Sequence, residues 1–168
     1  MGATKKPRKA YRPKPVHYNQ VQRSAEAAAL IPRSEVARVM AGVREAFEAF
    51  RRCEQPGFYW RSMADALNLA ESLANEGICS DSDSLGIIAG GQSALASVAE
   101  RHVAVGSWAL RAEEMAALSD ALDRHELQLQ FASMGEYERA IERTKRRISQ
   151  ALAGNAGAAV IVLGDIGG

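Results

Sequence analysis

The sequence predicts an all-α protein: an irregular bundle of about five helices with a disordered basic N-terminal arm. Three observations lead there. Alanine-rich, proline-poor stretches fill the middle of the chain and favour helix over strand. Apolar residues recur in those stretches at three- and four-residue steps, the spacing of one helix face. Residues 1–23 are different: they hold seven of the 21 lysines and arginines, no acid, and three of the five prolines.

Those prolines, Pro7, Pro13 and Pro15, each fix φ and remove a hydrogen-bond donor. The like charges around them repel one another, so residues 1–23 are expected as an extended coil when free. A helical domain over 24–153 and a glycine-rich tail over 154–168 complete the division. Residues 24–30 can form a short helical turn that Pro32 stops.

The first long helix is expected from about Ser34 to Cys53, with a stripe of Val36, Val39, Met40, Val43, Phe47 and Phe50. Gln55-Pro56-Gly57 ends it. The second runs from about Trp60 to Asn75 on a stripe of Trp60, Met63, Leu67, Ala70 and Ala74, with Leu73 beside it. Gly77 suits the left-handed position that closes a helix.

The run Ser80 to Ser84 alternates serine and aspartate and offers several N-caps. A third helix follows, about Leu85 to Val103, with Leu85, Ile88, Gln92, Leu95, Ala99 and His102 on one side. Gly86, Gly90 and Gly91 weaken it, each by about 1 kcal/mol against alanine. After a connector, a fourth helix spans about Ala112 to Ala132 on Met115, Leu118, Leu122, His125 and Leu129. Glu113 and Glu114 fall in its first turn, where negative charge suits the helix dipole.

Ser133-Met134-Gly135-Glu136 has the form of a capping box and starts a fifth helix, to about Leu152. Tyr137, Ala140, Ile141, Thr144, Ile148 and Ala151 lie inward, and Lys145, Arg146 and Arg147 complement its dipole. The tail carries an apolar run, Ala158 to Leu163, that either docks as a strand-like piece or stays disordered.

The net charge of +1 conceals a division: +7 in residues 1–23 and −6 in the rest. The physical use of such an arm is phosphate neutralisation with release of counterions. Lys5, Lys6, Arg8, Lys9, Arg12 and Lys14 are the candidate nucleic-acid-binding residues, and Tyr11 and Tyr18 are placed to stack on bases.

Other motifs are weaker. Gly86 to Ser93 has the glycine spacing of a phosphate loop, but Gln92 replaces its lysine and no strand precedes it. No cofactor is expected. His17, His102 and His125 have no metal-ligand spacing. His125 reads as a core histidine for which Gln92 is a candidate partner, and no catalytic residue is assigned. Cys53 and Cys79 form no CxxC pair and are expected as buried thiols in a reducing compartment. Phe58-Tyr59-Trp60 either caps the core or presents an aromatic cluster. No apolar stretch approaches a membrane span and the basic start lacks a secretory segment, so a cytoplasmic protein with no membrane contact is expected.

Several phrases occur in a suggestive order: Tyr11-Arg12-Pro13-Lys14, Asn68 to Glu71 with Leu73, Ala74 and Gly77, Gln92 with Ala94-Leu95, Glu114-Met115, and His125 with Gln128-Leu129. Together they resemble a group of small uncharacterised proteins of proteobacterial phages and other mobile elements, over residues 11 to 148. The resemblance implies a bacterial host cell and carries no activity. The expectation is a non-enzymatic accessory protein that binds nucleic acid through its arm. In that reading the acidic body binds a protein or a second copy of itself; the alternative is a protein-interaction module, an inhibitor or adaptor, acting on a host or phage protein.

Overall fold

The computed structural model describes residues 16–154. Six helices make up the fold: α1 (Val16–Ala28), α2 (Arg33–Arg51), α3 (Pro56–Asn75), α4 (Ser82–Val105), α5 (Ala112–Phe131) and α6 (Met134–Leu152). The all-helical expectation holds, but the count is six rather than five. The additional helix is α1, which takes up residues 16–23, expected as coil, together with the short turn over 24–30. Its described side chains form no buried apolar stripe. Among its described side chains only Ala27 is even half-buried, and Val21 is 74% exposed. Local bonds support it instead: Gln22 Nε2 donates to Glu26 Oε1 at 2.9 Å, and Ser24 Oγ to the Gln20 carbonyl at 2.9 Å.

Helix α3 lies at the centre of the bundle and touches α2, α4, α5 and α6. Its sequence explains that position. Trp60, Met63, Leu67, Ala70, Leu73 and Ala74 are all buried, as their spacing predicts. The alanines leave room for neighbours on more than one side. Trp60 satisfies its indole N–H inside the core by donating to the Leu95 carbonyl at 2.9 Å. Its neighbours divide, Tyr59 being half-buried and Phe58 63% exposed.

Helices α4 and α5 form the most extensive pair. Gly91 of α4 faces Ala121 of α5 and the Leu67 side chain. Close packing is therefore the role of Gly91, whereas Gly86 and Gly90 face open space. Asp81 caps α4, its carboxylate accepting from the Ser84 N–H at 2.9 Å, and Gly106 closes it at φ 71°. Gly77 closes α3 at φ 94°. At the start of α5 burial pushes the Glu114 carboxyl up, but bonds from the Arg101 guanidinium and the Arg111 N–H outweigh burial and leave it below the ordinary carboxylate range. The capping box of α6 is present: Ser133 N–H donates to Glu136 Oε2 at 2.8 Å, and Glu136 N–H to Ser133 Oγ at 3.3 Å.

Two expectations about individual side chains are corrected. Cys53 is exposed and Cys79 only half-buried, because both lie past helix ends in left-handed turns, at φ 56° and 47°. Gln92 is not the partner of His125. Its amide reaches across to Glu71 Oε2 at 3.1 Å, while the side chain beside His125 is Gln128, three residues on in the same helix.

Candidate nucleic-acid interface

The six candidate phosphate contacts, Lys5, Lys6, Arg8, Lys9, Arg12 and Lys14, lie outside the described residues, as does Tyr11. What the structure places is the point where their segment joins the fold, at the start of α1.

That point follows from one backbone pairing. Ile31 N–H donates to the Ala132 carbonyl at 3.1 Å, and Met134 N–H to the Ala29 carbonyl at 2.8 Å, an antiparallel bridge centred on Leu30 and Ser133. In an antiparallel pair, the chain arriving at one member lies on the same side as the chain leaving the other. Helix α1 arrives at Leu30 and α6 leaves Ser133, so the end of α1 meets the start of α6. Ala27 of α1 sits against Gly135 of α6 so closely that a Cβ on the glycine would lie 3.0 Å from the Ala27 carbonyl oxygen. From Gln20 to Glu26 every side chain of α1 is exposed, so the contact with α6 is made at the C-terminal end of α1, around Ala27.

The C-terminal half of α6 is the second basic region of the chain. Residues 24–142 carry 10 basic and 19 acidic side chains, whereas Arg143, Lys145, Arg146 and Arg147 follow with no acid before Asp165. These cations have different surroundings. Glu76, at the end of α3, accepts from Arg139 Nε at 2.9 Å and from Arg143 Nη2 at 2.6 Å. Arg147 Nη2 donates to Glu71 Oε2 at 2.9 Å. Between these pairs Thr144 Oγ1 stands 2.7 Å from Ser72 Oγ and 2.9 Å from the Ala140 carbonyl. Beyond Ala140, polar groups hold α6 on α3.

Lys145 and Arg146 point elsewhere. Both are exposed, and both bond only within α6: Lys145 Nζ to the Glu142 carboxylate at 2.9 Å, and Arg146 Nε to the Glu142 main-chain carbonyl at 3.2 Å. The last turn of α6 contains no base, so the expected match of these residues to the helix dipole, an effect confined to the terminal turn, does not describe them. Arg146 lines a cleft of about 450 Å³ between α1 and α6, with Ala27, Gly135, Arg139 and Arg143, and with Glu76, Glu138 and Glu142 in the same walls. The sequence signal for this region was the acid-free run after Glu142, which the dipole reading had absorbed.

A second surface is apolar. Leu30 and Phe131, each 61% exposed, flank a groove of about 860 Å³ lined also by Ile31, Pro32, Val36 and Ala37, with Arg33, Glu126 and Gln130 in the same walls. His125 is buried and Gln92 half-buried at Glu71, and neither lines the groove or the cleft. Burial drives the His125 pKa down to about 4, with the Gln128 side chain opposing the shift. Among the described residues no group of three or more His, Cys, Asp or Glu is placed to hold a metal, and no helix is long and apolar enough to cross a membrane.

Comparison with known proteins gives no matching family model, no matching curated protein and no matching solved structure.

Proposed function

We propose that this protein is a non-enzymatic accessory factor that binds nucleic acid through residues 1–15, with Lys5, Lys6, Arg8, Lys9, Arg12 and Lys14 contacting phosphates. The observation that carries the reading is the segregation of charge, +7 in residues 1–23 against −6 in the remainder. An acidic body disfavours nonspecific spreading over a polyanion, so contact is concentrated where the bases are. The reading takes such a factor to act in a bacterial cytoplasm, the setting that a resemblance to proteins of phages and other mobile elements would imply. Deleting residues 2–15 tests the reading by gel shift at low salt. Loss of DNA or RNA retention is the expected result, and retention equal to that of the intact chain overturns it.

The second reading is a protein-interaction module, an inhibitor or adaptor. It is favoured by the groove between Leu30 and Phe131 and by the exposed ring of Phe58. Capture of a partner after nuclease treatment, lost on Phe131→Asp, supports this reading. Loss of every partner on nuclease treatment alone argues against it.

A further inference from the structure

We propose that the groove between Leu30 and Phe131 is filled by a second copy of this chain, each protomer setting its own Leu30 and Phe131 into the groove of the other about a two-fold axis. The proposal goes beyond the arm reading and does not depend on it.

The bridge at Leu30 and Ser133 builds the surface. Ile31 N–H is bonded to the Ala132 carbonyl, and both residues are buried. Their chain neighbours Leu30 and Phe131 are thereby held on one frame, both well exposed. Val36, itself buried, adds to the wall from α2. Walls already fixed by packing cost little to order on association. Two projecting apolar side chains beside an apolar hollow give one surface both the knob and the hole. A two-fold interface needs that, because the same patch must be complementary to itself.

The charges favour the same occupant. Arg44 of α2 donates to Asp123 Oδ1 at 2.8 Å and to Glu126 Oε2 at 2.6 Å. Two carboxylates share one guanidinium there, so the α5 wall of the groove keeps a surplus negative charge. Arg33 is exposed and makes no ion pair among the described residues. It stands at the start of α2, where the helix dipole disfavours a cation that lacks an anion. One groove therefore carries one unmatched cation and one surplus anion, on different helices. About a two-fold axis Arg33 of each protomer faces the partner's Glu126, and the pair is made twice. A strongly charged partner of either sign would set one of these two groups against a like charge.

Sedimentation of the full-length, nuclease-treated chain across micromolar concentrations tests the proposal. The expected result is a concentration-dependent dimer, with Phe131→Asp a monomer. Arg33→Glu and Glu126→Arg, each alone, set like charges opposite one another twice and should weaken the dimer about tenfold or more. An equimolar mixture of these two variants restores opposite charge at both contacts and should associate as tightly as the unmodified chain. Arg61→Glu, an exposed base elsewhere, should leave the dimer unchanged. Thermal melting checks that each variant is folded, and if Phe131→Asp is not, the mixture decides. A monomer at every concentration overturns the proposal, whether or not the arm binds nucleic acid. So does a dimer that a folded Phe131→Asp leaves intact, or a mixture no tighter than its components. Should the chain be monomeric and a captured host or phage protein be lost on Phe131→Asp, the groove belongs to that protein and the proposal fails.

Discussion

Gly91 of α4 approaches Ala121 of α5 so closely that a Cβ added to the glycine would stand 2.5 Å from the alanine Cβ, with the Leu67 side chain 3.1 Å away on another side. No real pair of Cβ atoms lies that close, so the absence of a side chain at 91 sets the separation of α4 and α5. Gly91→Val should lower stability by about 1–3 kcal/mol through overpacking. Gly90→Ala, one position earlier and facing open space, should raise it by roughly 0.5–1 kcal/mol through helix propensity alone. Chemical denaturation of the two variants checks the contrast, and equal effects of the same sign would refute it.

Stability should fall as pH is lowered from about 6.5 toward 4. His125 is neutral in the fold, with its pKa near 4, whereas in the unfolded chain it titrates at its ordinary value near 6.5. Below that ordinary value the unfolded state binds a proton that the folded state refuses, so the contribution is present above pH 6.5 and lost on acidification. The full effect is about 3 kcal/mol. His125→Gln should flatten the dependence between pH 6.5 and 5. Denaturation midpoints across that window decide, and an unchanged slope in the variant counts against a neutral buried imidazole.

Helix α6 should be the most salt-sensitive element of the body. Its outer half is held by Glu76 on Arg139 and Arg143, by Glu71 on Arg147 and by the hydroxyls of Ser72 and Thr144. Glu76→Ala should cost about 1 kcal/mol and raise amide exchange in residues 139–152 more than in α3 to α5. Exchange measured by mass spectrometry at low and high salt shows whether the loss is local.

The seat of α1 depends on Gly135. A side chain there meets the main chain of Ala27, so Gly135→Leu should displace α1. Amide exchange should rise in residues 20–28 while protection in α3 to α5 is kept. Unchanged protection in α1 would mean that the helix is anchored by something other than this contact.

Much of the fold was legible because burial in α3 and α5 follows a simple spacing. Leu118, Leu122, His125 and Leu129 are buried as the periodicity of α5 predicts, and Gly77 and the Ser133–Glu136 box close and open helices where expected. Helix α1 was missed because its described side chains form no buried apolar face, only Ala27 being half-buried. The partners of Gln92 and His125 were misassigned because periodicity gives the face of a helix but not which residue stands opposite on the next. Residue type suggested buried cysteines, and the turn geometry at Cys53 and Cys79 overrode it. The basic arm is read from charge alone, and Lys5 to Lys14 lie outside the described residues.

The most direct measurement is the salt dependence of duplex binding by the intact chain. Six arm contacts predict that log affinity falls linearly with log salt with a slope of about −5, dropping to no measurable binding when residues 2–15 are removed. Absence of binding at low salt, or a slope that the deletion leaves unchanged, would contradict the account.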